Sequence, residues 1–179
     1  MRHSSSNIDR ATPARHWDLS AEGVERAARL AELLARELAI DAVYSSSELK
    51  ARATAAPIAA RAGVTVIEDA RLNEHTLDGF LERDAFERGL ERYFACPDRV
   101  VFGSESADAV YGRLAAALHD VHAPAVVVSH GRALTTLVSR CTGQDPLALW
   151  RSLAMPAYVV FDRTAWAVQR IETSPCAPP

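Results

Sequence analysis

The segment Ala125-Val126-Val127-Val128 is an unbroken apolar run that stops at Ser129-His130-Gly131 and passes directly into a helical pattern over Arg132 to Cys141. A strand without polar alternation has both faces covered, as in a parallel sheet flanked by helices. The same succession of strand, polar turn and helix occurs earlier. Ile40 to Tyr44 ends in Ser45-Ser46-Ser47, and Glu48 to Ala62 follows as an alanine-rich helix stopped by Gly63. Val64 to Ile67 reads as a further short strand. Arg83 to Phe94 and Ser104 to Val121 read as helices, the second capped by Ser104 or Ser106. Ser20 occupies an N-cap position ahead of an apolar stripe of Val24, Ala27, Ala31, Leu34 and Leu38. Asp145-Pro146 starts a short helix, and Tyr158 to Phe161 with Trp166 to Ile171 forms a closing hairpin. Leu134, Leu137, Val138, Trp150 and Trp166 are core positions on this pattern. The alternation predicts an α/β protein, a three-layer α/β/α sandwich with a mostly parallel central sheet and a ligand site beyond the carboxyl ends of its strands.

The 179 residues suffice for one domain with a substantial core, assigned to residues 1–174, with Pro175 to Pro179 expected as a disordered tail. Twenty Lys and Arg against 23 Asp and Glu give a formal charge of -3, with no basic block to track a phosphate backbone, so nucleic acid is not an expected partner. Cys96, Cys141 and Cys176 lack any C-x-x-C spacing, which argues against a zinc site or a disulfide framework and fits a reducing cytoplasm. The polar opening segment has no signal-peptide core, and no run reaches the roughly 18 apolar residues that span a bilayer. Phosphate-loop, dinucleotide, nucleophile-elbow and zincin motifs are all missing from the sequence. His119 and His122 read as a solvated helix end, and no metal is expected.

The chemistry-bearing residues fall in turns after the strands. His130 precedes a glycine that opens a helix, where free backbone N–H groups favour an anion. Arg2-His3, Ser45-Ser46 with Lys50, Glu74, and Ser129-His130-Gly131 follow one another along the chain. In that order they resemble the histidine phosphatase superfamily, phosphoglycerate mutase-like branch, whose members carry R-H-G, S-S-x-L-x-R-A-x-x-T-A, a loop glutamate and S-H-G. Leu19-Ser20-Ala21-Glu22-Gly23 is similar to that family's L-S-x-x-G, and Arg71-Leu72-Asn73-Glu74 to the R-L-N-E of the mutases. The resemblance implies a phosphoglycerate mutase-like fold and a cofactor-independent phosphatase acting on a small phosphomonoester. By the same resemblance His3 is the nucleophile that becomes phosphohistidine, and Glu74 protonates the leaving alcohol and then deprotonates water. Arg2, Lys50 and His130 surround the phosphate with donors, Gly131 opens the helix behind it, and Ser4 lies on the binding side. A mutase and a phosphate-binding protein without turnover are the alternatives. The short stretch from Asp78 to Ser104 favours hydrolysis over a mutase, which shields its intermediate from water.

The sequence departs from the family pattern in three places. Ser4 stands where the family has glycine, and Asp9 where many relatives have asparagine, with Asn7 nearby. Lys50 aligns with the family's second arginine and keeps its charge without the planar fork. Arg52 competes for that role but lies roughly 200° further round a helix. The family's first strand ends just before R-H, and here only Met1 precedes it. A segment is therefore expected to be missing ahead of Met1; otherwise the sheet keeps an open slot with unpaired edges. Arg15-His16 reads as a loop pair, and His75 as either a substrate-orienting or a surface histidine.

Overall fold

A computed structural model describes residues 1–77, 79–122 and 124–176. Strands β1 (Ala42–Ser45), β2 (Val66–Glu68) and β3 (Ala125–Val128) form a parallel sheet in the order β2-β1-β3. Val43 stands opposite Val66 on one side and Val126 on the other. Helices α1 (Ala21–Glu37), α2 (Leu49–Ala62), α3 (Arg83–Ala95), α4 (Ala107–Asp120), α5 (Gly131–Thr142) and α6 (Pro146–Ser152) connect and cover the strands, and β4 (Tyr158–Asp162) and β5 (Ala167–Glu172) form an antiparallel ribbon.

The apolar run of β3 supplies both layers of the core. Val126 and Val128 join Val43, Leu30, Leu34 and Ile58 against α1 and α2, while Ala125 and Val127 pack with Tyr44, Val110 and Leu114 against α4. Leu30 and Ile58 are fully buried, each contributing about 1.5–3 kcal/mol of transfer free energy. Leu134 and Val138 of α5 meet Leu149, Leu153 and Ala157, with Val159 of the ribbon packed behind them. The central sheet is thus sandwiched as the sequence predicts.

Local chemistry sets the element ends. Ser20 Oγ accepts from the Gly23 N–H at 3.0 Å and Ser106 Oγ from the Ala109 N–H at 3.1 Å, so Ser106 rather than Ser104 caps α4. Gly63 closes α2 at φ 71°, a left-handed turn favouring glycine. The α1 stripe runs through Ala27, Leu30, Ala31 and Leu34, and the expected members Val24 and Leu38 are exposed. Trp166 is not core: it sits in the hairpin turn at φ 51° and stacks on His119 at 4.5 Å. Of the expected tail, Pro175 and Cys176 form a turn, with Cys176 Sγ 3.4 Å from the Arg26 carbonyl, and 177–179 lie outside the described residues. Among the described residues no helix is long and apolar enough to cross a membrane.

The expected slot in the sheet is occupied at its carboxyl end. Arg2 bridges Ser129 in parallel and Ala157 in antiparallel fashion, which joins the three-stranded sheet to the ribbon. The Ser129 N–H donates to the Met1 carbonyl at 2.8 Å, His3 N–H to Ser129 at 3.0 Å and Arg2 N–H to Ala157 at 2.8 Å. Met1 to His3 therefore lie beside the end of β3, and Ser46 N–H donates to the Val128 carbonyl at 2.9 Å from the other side. Three chain segments bearing His3, Ser46 and His130 end side by side.

Candidate active site

His3 and His130 face each other with ring centroids 5.1 Å apart at 64°. His3 Nδ1 lies 2.7 Å from the Ser4 carbonyl, an acceptor only, so Nδ1 carries the proton and Nε2 keeps its lone pair. His130 Nε2 lies 2.8 Å from Ser46 Oγ. Ser46 commits its single proton to the Asn73 side-chain oxygen at 2.7 Å, so His130 Nε2 is the donor and its buried Nδ1 is left without a partner among the described residues. The two rings hold complementary tautomers.

Arg2 passes over Gly131. A Cβ there would lie 2.9 Å from Arg2 Nε and 3.1 Å from Cζ, so the glycine provides the room for the guanidinium. Arg2 Nη1 donates to the Leu153 carbonyl, and the buried Nε is unpaired among the described residues. Gly131→Ala is expected to displace the guanidinium and weaken binding of a phosphate-like anion roughly 10- to 100-fold. Calorimetric titration of orthovanadate beside a thermal melt would check this, and an unchanged affinity would show that Arg2 does not hold the anion.

Two carboxylates and two further cations complete the cluster. Glu74 Oε2 accepts from the Arg132 N–H at 3.0 Å, near the N-terminus of α5, with Arg132 Nε 3.4 Å away. Arg132 is buried, donates through Nη2 to the His75 carbonyl at 2.9 Å and has an unpaired Nη1 among the described residues. Lys50 is buried too, with Nζ 2.5 Å from Glu48 Oε2 and 2.7 Å from the Ala14 carbonyl. Glu48 Oε1 accepts from the Glu74 N–H at 2.9 Å and lies 3.6 Å from His130 Nε2. Beside this cluster opens a cleft of about 280 Å³, lined by Arg15, His16, Arg52 and Asn73 together with Glu48 and Glu74.

The fold thus brings Arg2, His3, Lys50, Glu74, His130 and Gly131 together. Ser4 does not fit the substrate-binding role the sequence implies. Its N–H donates to Thr54 Oγ1 at 3.0 Å and its hydroxyl to the Gly23 carbonyl at 2.8 Å, so both donors face the protein. Arg52 pairs with Glu68 at 3.1 Å at the half-exposed rim of the cleft, so of the two candidates Lys50 is the one buried in the cluster. Arg15-His16 forms an exposed turn whose Ala14 carbonyl holds Lys50. His75 is neither at the surface nor facing the cleft; it is buried against Tyr93 at 4.6 Å. The sequence reading missed Glu48 and Arg132. One signal was present, since Glu48 stands at the leucine position of S-S-x-L-x-R.

A sequence model of the Histidine phosphatase superfamily (branch 1) matches residues 1–173. The chain belongs to the histidine phosphatase superfamily. It is 30% identical over 167 residues to Phosphoglycerate mutase-like protein 4 of Arabidopsis thaliana, covering 85% of this chain and 73% of that protein. It is 32% identical over 145 residues to Phosphoserine phosphatase 1 of Hydrogenobacter thermophilus, covering 74% and 68%. Among solved structures it resembles a phosphoserine phosphatase variant from Entamoeba histolytica in complex with phosphoserine, with TM-score 0.73, 19% identity and coverage of 98% and 96%. It also resembles mycobacterial glucosyl-3-phosphoglycerate phosphatase, with TM-score 0.72, 18% identity and coverage of 96% and 94%. At these identities the two structures show the shared fold.

In this superfamily member the three buried imidazoles, His3, His75 and His130, are neutral at pH 7. Burial, then Lys50, pushes His3 down to about 3, and burial, then Arg132, takes His75 to about 4. Burial and the neighbouring His3 put His130 well below its ordinary value. Burial, the largest single influence, raises the Glu74 carboxyl, but the Arg132 guanidinium, His130, His75 and the Arg132 N–H together outweigh it and hold the group below the carboxylate range. Burial lowers Arg2 to about 10, still cationic at neutral pH.

These shifts set a sign for stability. Each histidine binds a proton more readily when unfolded, near pH 6.5, than when folded, so stability present at pH 7 is lost as pH falls through 6.5 toward 4. The slope approaches about 1.4 kcal/mol per pH unit for each buried imidazole. Urea unfolding at pH 7 and pH 5 is expected to show a loss of several kcal/mol at the lower pH by this linkage. Equal stabilities would mean that these rings are not held neutral.

Proposed function

We propose that the chain hydrolyses a small phosphomonoester through a phosphohistidine on His3. The observation that carries this reading is the neutral His3 ring, 5.1 Å from His130, within Coulombic reach of Lys50, Arg2 and Glu74. A lone pair on Nε2 attacks phosphorus while the bond to the ester oxygen breaks, and the phosphoryl group passes to nitrogen. Arg2 and Arg132, each with a buried N–H that has no partner among the described residues, offer charge and donors to the equatorial oxygens, and Lys50 adds charge. Glu74 moves the proton. It rests as a carboxylate, so the proton enters with a monoanionic phosphoester, whose remaining charge raises the carboxyl, and from there it passes to the leaving oxygen. Glu74 then takes a proton from the water that cleaves the phosphorus–nitrogen bond, and inorganic phosphate leaves.

The reaction runs on protein groups, so hydrolysis in excess chelator is the expected result. The test is a panel of phosphomonoesters in chelator, with rapid quench to trap a phosphoprotein stable to alkali and labile to acid. Turnover without such a species would overturn the covalent route. A phosphate-binding protein without turnover is a second reading, favoured by the internal pairing of Lys50 with Glu48. It predicts that vanadate binds and that no phosphoester in the panel is cleaved.

A further inference from the structure

Glu48 is the feature that the proposed reaction does not use. Its carboxylate is 8% exposed, yet it stands inside a cluster whose task is to attract an anion. The family pattern has leucine at this position and arginine at position 50, whereas this chain has glutamate and lysine. Glu48 Oε2 meets Lys50 Nζ at 2.5 Å, and the Ala14 carbonyl takes a second ammonium hydrogen at 2.7 Å. An ammonium has three donors, so one remains. The other carboxylate oxygen accepts from the Glu74 N–H at 2.9 Å and lies 3.6 Å from His130 Nε2. A phosphate beside His130 therefore meets a fixed negative charge, and a lysine that is already matched.

We propose that Glu48 is a built-in counter-anion that keeps Lys50 from closing on phosphate, so that this site holds phosphate loosely and releases its product readily. The proposal rests on the phosphatase reading of the site and assigns Glu48 as a positioning residue acting through Lys50. In the desolvated cluster one like charge removed and one cation released both favour the incoming anion. Gln at position 48 still accepts the Glu74 N–H, so the change isolates charge from shape.

The experiment is calorimetric titration of orthovanadate and of inorganic phosphate into wild type, Glu48→Gln, Lys50→Met and the double variant, with thermal melts alongside. Glu48→Gln is expected to bind both anions roughly tenfold tighter or more. The gain is expected to be several-fold smaller when Glu48→Gln is made in the Lys50→Met background, where only the removed like charge still acts and no ammonium is released. Binding no tighter in Glu48→Gln, or a gain just as large without Lys50, overturns the proposal. Should Glu48→Gln fail to fold, Glu48→Leu, the family's residue, makes the same comparison, and no gain there has the same force. Hydrolysis is scored separately. A wild type that cleaves nothing while Glu48→Gln gains vanadate affinity sinks the phosphatase reading and keeps this one, and active wild type without the gain does the reverse.

Discussion

His3→Ala is expected to lower kcat/KM for every substrate in the panel by roughly a thousandfold or more, because the covalent route loses its nucleophile. His3 has the features this role needs. Its Nδ1 proton is fixed on the Ser4 carbonyl at 2.7 Å, and burial holds the ring neutral. His130 does not substitute for it, because its Nε2 carries a proton directed at Ser46 Oγ. The phosphoprotein should vanish from quenched samples, while vanadate still binds through Arg2 and Arg132. That last measurement separates loss of chemistry from loss of the pocket. More than a tenth of wild-type activity in a folded His3→Ala protein would remove His3 from the mechanism.

Glu74→Gln is expected to have the next largest effect, and one graded by leaving group. Alkyl phosphates, whose alkoxides leave poorly, should slow by roughly 10²–10⁴-fold, the usual contribution of a positioned acid. An aryl ester such as p-nitrophenyl phosphate, whose phenolate needs no proton, should slow far less. The substitution keeps an oxygen for the Arg132 N–H, 3.0 Å from Glu74 Oε2, so the loop stays anchored at α5. Equal losses on both substrate types would show that Glu74 orients the site and transfers no proton.

The strand ends and the order of the motifs were legible because each rests on local rules. The apolar run of β3 announced two covered faces, and the serine after it announced a turn. Glu48 escaped because spacing rules for helices do not apply to it. Residues two apart on a helix point different ways, but Glu48 is the residue before α2, with φ -72° and ψ 139°, and from that extended position its carboxylate reaches Lys50. Arg132 escaped because its partners come from distant loops, Glu74 and the His75 carbonyl. The motif position of Ser4 points to substrate, and only the packed fold shows its hydroxyl donated to the Gly23 carbonyl. Val24 misled because apolar character alone was counted, whereas the face that turns inward is defined by Ala27, Leu30 and Leu34.

The stitch of Met1, Arg2 and His3 between sheet and ribbon fixes reading frame as well as geometry. On an extended segment neighbouring side chains leave by opposite faces, so inserting or deleting one residue there would exchange the guanidinium and the imidazole. The exposed stretch around Ile8, by contrast, can lengthen or shorten without disturbing either group. A change of length is therefore tolerated beyond Ser4 and not between Met1 and Ser4.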